Sequence, residues 1–254
     1  MSEENNTDSV VEEKQSKNFS KTKKIVLVLV VMFLLAFAVL ASPSLLLKPA
    51  IYLYPEKPTI VEVELDRMII PQDVIPKYFF KWKVLAHKDG HLIDLKPKMT
   101  DCEKLPNGFG FEYAQSSCKA NNYPYIYWDG YSLKKVPEKL IGWSVKRANA
   151  EGFLRTKADE MGMNASEKSE FVRYWTKKIS EYPASDFRIY FLQNEEVDNW
   201  IKLKVSPKPD SWNRIQIIIT PTRPNTVSSP YPLKKIERKG FTMVEWGGMI
   251  KDNF

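Results

Sequence analysis

Residues 149–183 read NAEGFLRTKADEMGMNASEKSEFVRYWTKKISEYP, and this stretch decides the fold class. Asn149 can cap a helix that runs through Met161, because Phe153, Leu154, Ala158 and Met161 fall on one stripe and Gly162 stands just past the end. Asn164 followed three residues later by Glu167 has the form of a capping box. The helix after it shows Phe171, Val172, Trp175 and Ile179 along one face and is stopped at Pro183. Two short amphipathic helices in succession predict a helical hairpin with an apolar side to bury.

The flanks supply what that side packs on. Ile51-Tyr52-Leu53-Tyr54 is an apolar run closed by Pro55. Thr59 to Leu65 alternates, with Ile60, Val61, Val63 and Leu65 against Glu62 and Glu64, as a half-buried strand does. Phe79 to Ala86 alternates again, Asp89-Gly90 is a hairpin signal, and His91 to Leu95 is the return strand. Phe109 to Tyr113 and Tyr123 to Trp128 read as short strands. After the hairpin, strands resume at Phe187 to Leu192, Trp200 to Val205, Arg214 to Thr220 and Phe241 to Trp246. Strands, two helices and strands again predict an α+β domain with mostly antiparallel sheet, with a possible internal boundary near residue 146.

Ahead of this domain lies Ile25 to Ala41, IVLVLVVMFLLAFAVLA, with no charged or polar side chain. As a helix it is about 26 Å long. Extended through Leu47 it matches a hydrocarbon core of ~30 Å. The expectation is a single transmembrane anchor at residues 25–47. The alternatives are a cleaved signal peptide with a secreted product, or a buried core helix. Twenty-four residues precede the apolar core, which is long for a signal peptide. Lys14, Lys17, Lys21, Lys23 and Lys24 precede it and the next cation is Lys48, so the N-terminus is expected in the cytoplasm and residues 48–254 outside it. Residues 1–24 carry too little apolar mass to fold and read as a disordered tail.

That tail holds five acids and five bases, so the net charge of +7 belongs to the remainder. The positive charge is dispersed, with Lys-Lys pairs at 134–135, 177–178 and 234–235 beside acids or prolines. A nucleic-acid surface requires a concentrated basic patch, so nucleic acid is not an expected partner. Cys102 and Cys118 are 16 residues apart, and the Pro-Asn-Gly between them lets the chain turn back. Outside the cytoplasm this pair is expected to form a disulfide. A zinc pair is the alternative, but further thiol ligands do not exist and only two histidines do.

The densest aromatic cluster is Tyr123, Tyr125, Tyr127, Trp128 and Tyr131 around Asp129. Period-two spacing sets the three tyrosines from 123 to 127 on one strand face. Exposed, they would form platforms for sugar rings or peptides, with Asp129 as a polar partner; the alternative is a core face. Asp129 and Glu245 each stand beside a tryptophan and before a glycine, and paired carboxylates are what glycoside hydrolysis needs. His87 and His91 flank the Asp-Gly turn, but no third metal ligand is identifiable. No phosphate loop, G-x-S-x-G or H-E-x-x-H motif is present, so the sequence assigns no catalytic residue, metal or cofactor. The reading is a membrane-attached binding or scaffold domain for a glycan, a wall component or a protein. The alternative is an extracytoplasmic hydrolase acting on glycans or peptides.

Five segments carry a resemblance: KPAIYLYP at 48–55, the hairpin Trp82 to Leu92, YPYIYWDG at 123–130, SPKPDS at 206–211 and RKGFTMVEWGG at 238–248. Together and in this order they resemble a family of microbial membrane or secreted proteins that begin with a KPVIYLYP-like motif and close with RKGFTVVEWGG. The chain departs from that pattern at Ala50, where valine is usual, at Asp129, where glutamate is more frequent, and in the Cys102–Cys118 insertion. The resemblance implies a shared extracytoplasmic domain and brings no catalytic residue with it.

Overall fold

The computed structural model describes residues 23–29, 32, 43–222 and 226–251. Contacts divide the chain into a unit at Met1–Ser42 and a unit at Pro43–Phe254.

The second unit is α+β. Its larger sheet has seven strands in the order β3-β6-β1-β11-β10-β8-β7. These are β1 (Ser44–Tyr54), β3 (Ile69–Ile75), β6 (Ile126–Ser132), β7 (Trp143–Lys146), β8 (Asp186–Gln193), β10 (Ser211–Pro221) and β11 (Thr242–Ile250). A smaller antiparallel sheet is ordered β5-β4-β2-β9, from β2 (Thr59–Leu65), β4 (Trp82–Ala86), β5 (Leu92–Asp94) and β9 (Leu203–Ser206). Every pairing is antiparallel except β10 with β11, whose register runs Ser211↔Thr242 to Ile219↔Ile250. Parallel neighbours need a crossover, which here is the proline-rich segment between Pro221 and Thr242.

The helical hairpin forms as its periodicity predicts, with α2 (Ala150–Glu160) and α3 (Ala165–Glu181) following the short α1 (Ala114–Ala120). Asn164 and Glu167 make the reciprocal capping box. Asn149 makes no side-chain cap bond. The apolar stripe of the hairpin seats on the seven-stranded sheet, where Phe171 meets Trp246 edge to face at 5.6 Å and Phe153 meets Trp143 at 5.9 Å. A fourth helix, α4 (Glu195–Trp200), lies between β8 and β9.

Three expectations are corrected. The first is the transmembrane anchor. Among the described residues no helix is long and apolar enough to cross a membrane. Residues 23–29 and 32 are helical, and the rest of Ile25–Ala41, like residues 1–22 of the tail, lies outside the described residues. At the other end, Ser44–Leu47 is not anchor but the start of β1, pairing with both β6 and β11, and Leu46 is fully buried there. Leucines that suit lipid suit a central strand equally well.

The second correction is Phe109–Tyr113, expected as a strand. It is a turn leading into α1, with Gly108 and Gly110 at φ 110° and 87°. The third is Trp200–Val205. Trp200 ends α4, and the strand begins only at Leu203.

The cysteine expectation holds. Cys102 and Cys118 form a disulfide with Cα atoms 5.5 Å apart, tying the turn after β5 to α1. Closing a loop of this length adds about 3 kcal/mol. Replacing both cysteines by serine should lower the unfolding free energy by about that amount. A denaturant midpoint unchanged by the double replacement would show that the bridge contributes nothing.

Candidate functional site

The aromatic cluster nominated by the sequence is not a platform. Tyr123, Tyr125, Tyr127 and Trp128 are each at most 2% exposed, so the expectation of exposed rings is overturned. The three tyrosines do not share one strand either: β6 begins only at Ile126, and Tyr123 bridges Leu92 of the smaller sheet. Tyr125 and Tyr127 face the helical hairpin. Trp128 faces the other way, because Ile126 and Glu245 both stand opposite Ile51 and Trp128 is two residues on from Ile126. Asp129 shares the face of Tyr127, whose hydroxyl it accepts at 2.9 Å. It also accepts the backbone N–H of Asp73 at 2.8 Å. Asp129 and Glu245 therefore point to opposite faces of one sheet. The carboxylate pair that a hydrolase would need is not formed by these two residues.

What Tyr125 faces was not visible in the sequence. β1 carries one extra residue against β11 between Leu47 and Ala50, and there Lys48 adopts φ 47°. A bulge of this kind re-aims a side chain. Lys48 is thereby turned beneath α3, fully buried. Gly247 permits the bulge, since a Cβ there would lie 2.8 Å from Pro49 Cα. The ammonium donates to Glu170 Oε2 at 2.9 Å and to the Gly110 carbonyl at 3.3 Å. It lies 5.1 Å from the ring centre of Tyr174, 5.7 Å from Tyr125 and 6.0 Å from Trp246. Three of the segments that carry the resemblance thus meet at one cation, through Lys48, Tyr125 and Trp246. Glu170 also accepts the Tyr125 hydroxyl at 3.1 Å and pairs with Arg173 at 2.9 Å.

Burial lowers the Lys48 pKa below the ordinary 10.5, with the Glu170 carboxylate opposing part of that fall. Burial would raise Glu170, but Lys48 and Arg173 outweigh it and hold the carboxyl below its usual range. Burial also raises the tyrosines, Tyr123 to about 12 and Tyr125 and Tyr127 further. The two sets have opposite consequences. Between the folded value of Lys48 and 10.5 the unfolded chain holds the extra proton, so stability rises with pH in that window. Above the ordinary tyrosine value of 10.0 the unfolded chain sheds protons that the folded chain keeps, so stability falls. Urea midpoints taken between about pH 8 and 11 should turn downward once the pH passes about 10. A midpoint still rising beyond that would contradict the buried tyrosines.

With Lys48 enclosed, surface concavities are the places for a ligand. One groove of about 670 Å³ runs along α3, lined by Phe109, Val172 and several charged residues. Its cations are already engaged: Arg155 with Glu151, Lys168 with Asp159, Arg173 with Glu112 and Glu170, and Lys177 with Glu181. The second cleft, about 630 Å³, lies where β10 meets the crossover, between Asn194, Asp210–Asn213 and Lys234–Glu237.

This cleft is a built site. Trp212 supplies a half-buried ring whose Nε1 donates to Asp198 at 3.0 Å. Behind it Arg214 bridges Asp198 at 2.7 Å and the fully buried Glu245 at 2.5 Å. The crossover is held as a peptide would be. Gln193 exchanges two hydrogen bonds with the backbone of Lys234, at 2.8 and 2.9 Å. Asn213 does the same with Glu237 at 2.9 Å for both bonds, and Ser211 with Lys239 at 2.9 and 2.8 Å. Asp210 closes the end by accepting the Phe241 N–H at 2.7 Å. Gly240, at φ 56°, leaves room for that carboxylate. Among the described residues the side chains of Lys234, Lys235 and Glu237 make no ion pair. Asp210 and Ser211, the end of SPKPDS, thus line a cleft that spacing did not reveal, and Lys239 and Phe241 of RKGF bond to them beside it.

His87 and His91 stack with ring centres 4.1 Å apart, and His91 pairs with Asp89 at 2.6 Å. Among the described residues no cluster of three or more metal-ligating side chains occurs. Compared with protein-family models, curated protein sequences and solved structures, the chain matches none.

Proposed function

We propose that residues 43–254 form an extracytoplasmic binding domain that takes a glycan or other wall component in the Trp212 cleft. The observation that carries this reading is the composition of the cleft. Its lining combines one aromatic ring with amide, carboxyl and amine groups, the kinds of group that grip a sugar ring by its apolar face and its hydroxyls. The Cys102–Cys118 disulfide supports the extracytoplasmic side, because such bonds persist in oxidising compartments. The resemblance to membrane and secreted proteins supports it in the same direction. The free side chains of Lys234 and Glu237 favour this cleft over the α3 groove, where a ligand must displace existing ion pairs.

The test is a glycan array probed with the full chain in detergent micelles, followed by titration of the best oligosaccharide. Trp212→Ala should weaken that binding at least about tenfold, worth ~1.4 kcal/mol. Glu237→Gln, at an exposed position, should weaken it without moving the melting temperature. A blank array, or equal affinity in both variants, would remove the cleft from consideration.

A further inference from the structure

The β3-β6-β1 side of the seven-stranded sheet carries an apolar row that stays partly exposed among the described residues. Leu45 stands opposite Tyr131, and Tyr131 stands opposite Ile70. The three side chains lie across adjacent strands on one face, and they are 40%, 36% and 46% exposed. Beside them the Leu133 N–H donates to the Met68 carbonyl at 2.9 Å. Those two side chains are 43% and 38% exposed. Solvent-facing strand positions are ordinarily polar, so five apolar residues gathered at one sheet corner mark an interaction surface.

The charges around the row say what covers it. Arg67 and Lys135 are exposed at its margin. Lys134 pairs with Asp66 at 2.9 Å. The exposed carboxylate of Asp73 lies further along β3, and Asp129 is occupied by Tyr127 and Asp73. Apolar side chains with a tyrosine at their centre and a basic fringe match the boundary between acyl chains and anionic headgroups. The row is also the part of the sheet that the chain reaches first. Only Ser42 and Pro43 separate β1 from the 17-residue stretch Ile25–Ala41, which has no polar side chain.

We infer that the Leu45–Tyr131–Ile70 corner docks on an anionic lipid surface, holding the domain against a membrane by one sheet edge. The opposite edge, at β7 and the crossover residues that pair with Gly142, then points away from the lipid.

The test places a nitroxide at Ile70→Cys, and separately at Val227→Cys near that opposite edge, in the full chain with its native disulfide intact. Collision rates with oxygen and with a nickel chelate are read on vesicles of phosphatidylcholine, with and without one-third phosphatidylglycerol. On anionic vesicles the Ile70 label should gain oxygen collisions and lose nickel collisions severalfold, while the Val227 label stays aqueous. Arg67→Ser with Lys135→Ser should return the Ile70 label to its value on neutral vesicles. An Ile70 label that stays aqueous on anionic vesicles would overturn the proposal. So would an equal change at Val227, or no response to the double replacement. Protection that appears without vesicles and grows with protein concentration would assign the corner to a second copy of the chain instead.

Discussion

Glu245→Ala should lower the unfolding free energy by about 3–5 kcal/mol, because it strands a guanidinium in the core. Arg214 is fully buried and Glu245 likewise, with Nε to Oε2 at 2.5 Å. Asp198, the remaining charged partner of Arg214 beside the Ile201 carbonyl, has a side chain 38% exposed and accepts the Trp212 Nε1–H. Removing Glu245 leaves a cation that its one solvated neighbour cannot compensate. The paired replacement Arg214→Met with Glu245→Leu removes both charges and should recover much of the loss, since an apolar pair is often no less stable than a buried ion pair. Urea unfolding of the three variants gives the comparison. If the double variant is as unstable as the single one, shape and not charge sets the cost.

Trp128→Ala should cost a similar ~3–5 kcal/mol. The indole is 1% exposed, so truncation leaves a cavity the size of the ring. For a domain of this size that loss lowers the melting temperature by on the order of 10 °C. Tyr125→Ala should match it, and should also deprive Glu170 of one hydrogen-bond donor. Mild effects in both variants would mean that β6 is less enclosed than its burial indicates.

The helical hairpin was legible because it satisfies its own rules locally. Periodicity, a capping box and stop residues all lie within residues 149–183. β2 was legible for the same reason, since alternation from Thr59 to Leu65 needs no knowledge of its neighbours. Where long-range context decides, the sequence is ambiguous. IIPQDVI becomes β3 with Pro71 in its middle because it is an edge strand, which tolerates a missing N–H. Trp200 looked like the start of a strand, yet the acids Glu195, Glu196 and Asp198 in the first turn before it favour a short helix. The tyrosine row shows the limit most plainly. Period-two spacing suggests one strand face, but only the fold starts β6 at Ile126, sends Tyr123 to the smaller sheet and buries every ring. Lys48 is a lone base in an apolar run, and nothing local announces that α3 will bring Glu170 to meet it. The Trp212 cleft depends on a crossover whose side-chain ladder joins residues far apart in sequence.

One consequence lies in the order of the sheet. β1, the first strand made, sits at the centre beside β11, the last, and β10 joins β11 in parallel only after the crossover has been laid across the sheet. A nascent chain can pair one side of β1 with β6 midway through its synthesis, but the other side of this strongly apolar strand waits for β11. Pairings this distant are closed late and slowly. The seven-stranded sheet is expected to close only once Thr242–Ile250 is available, and a chain halted before Thr242 should lack the β1–β11–β10 pairings that join its two halves.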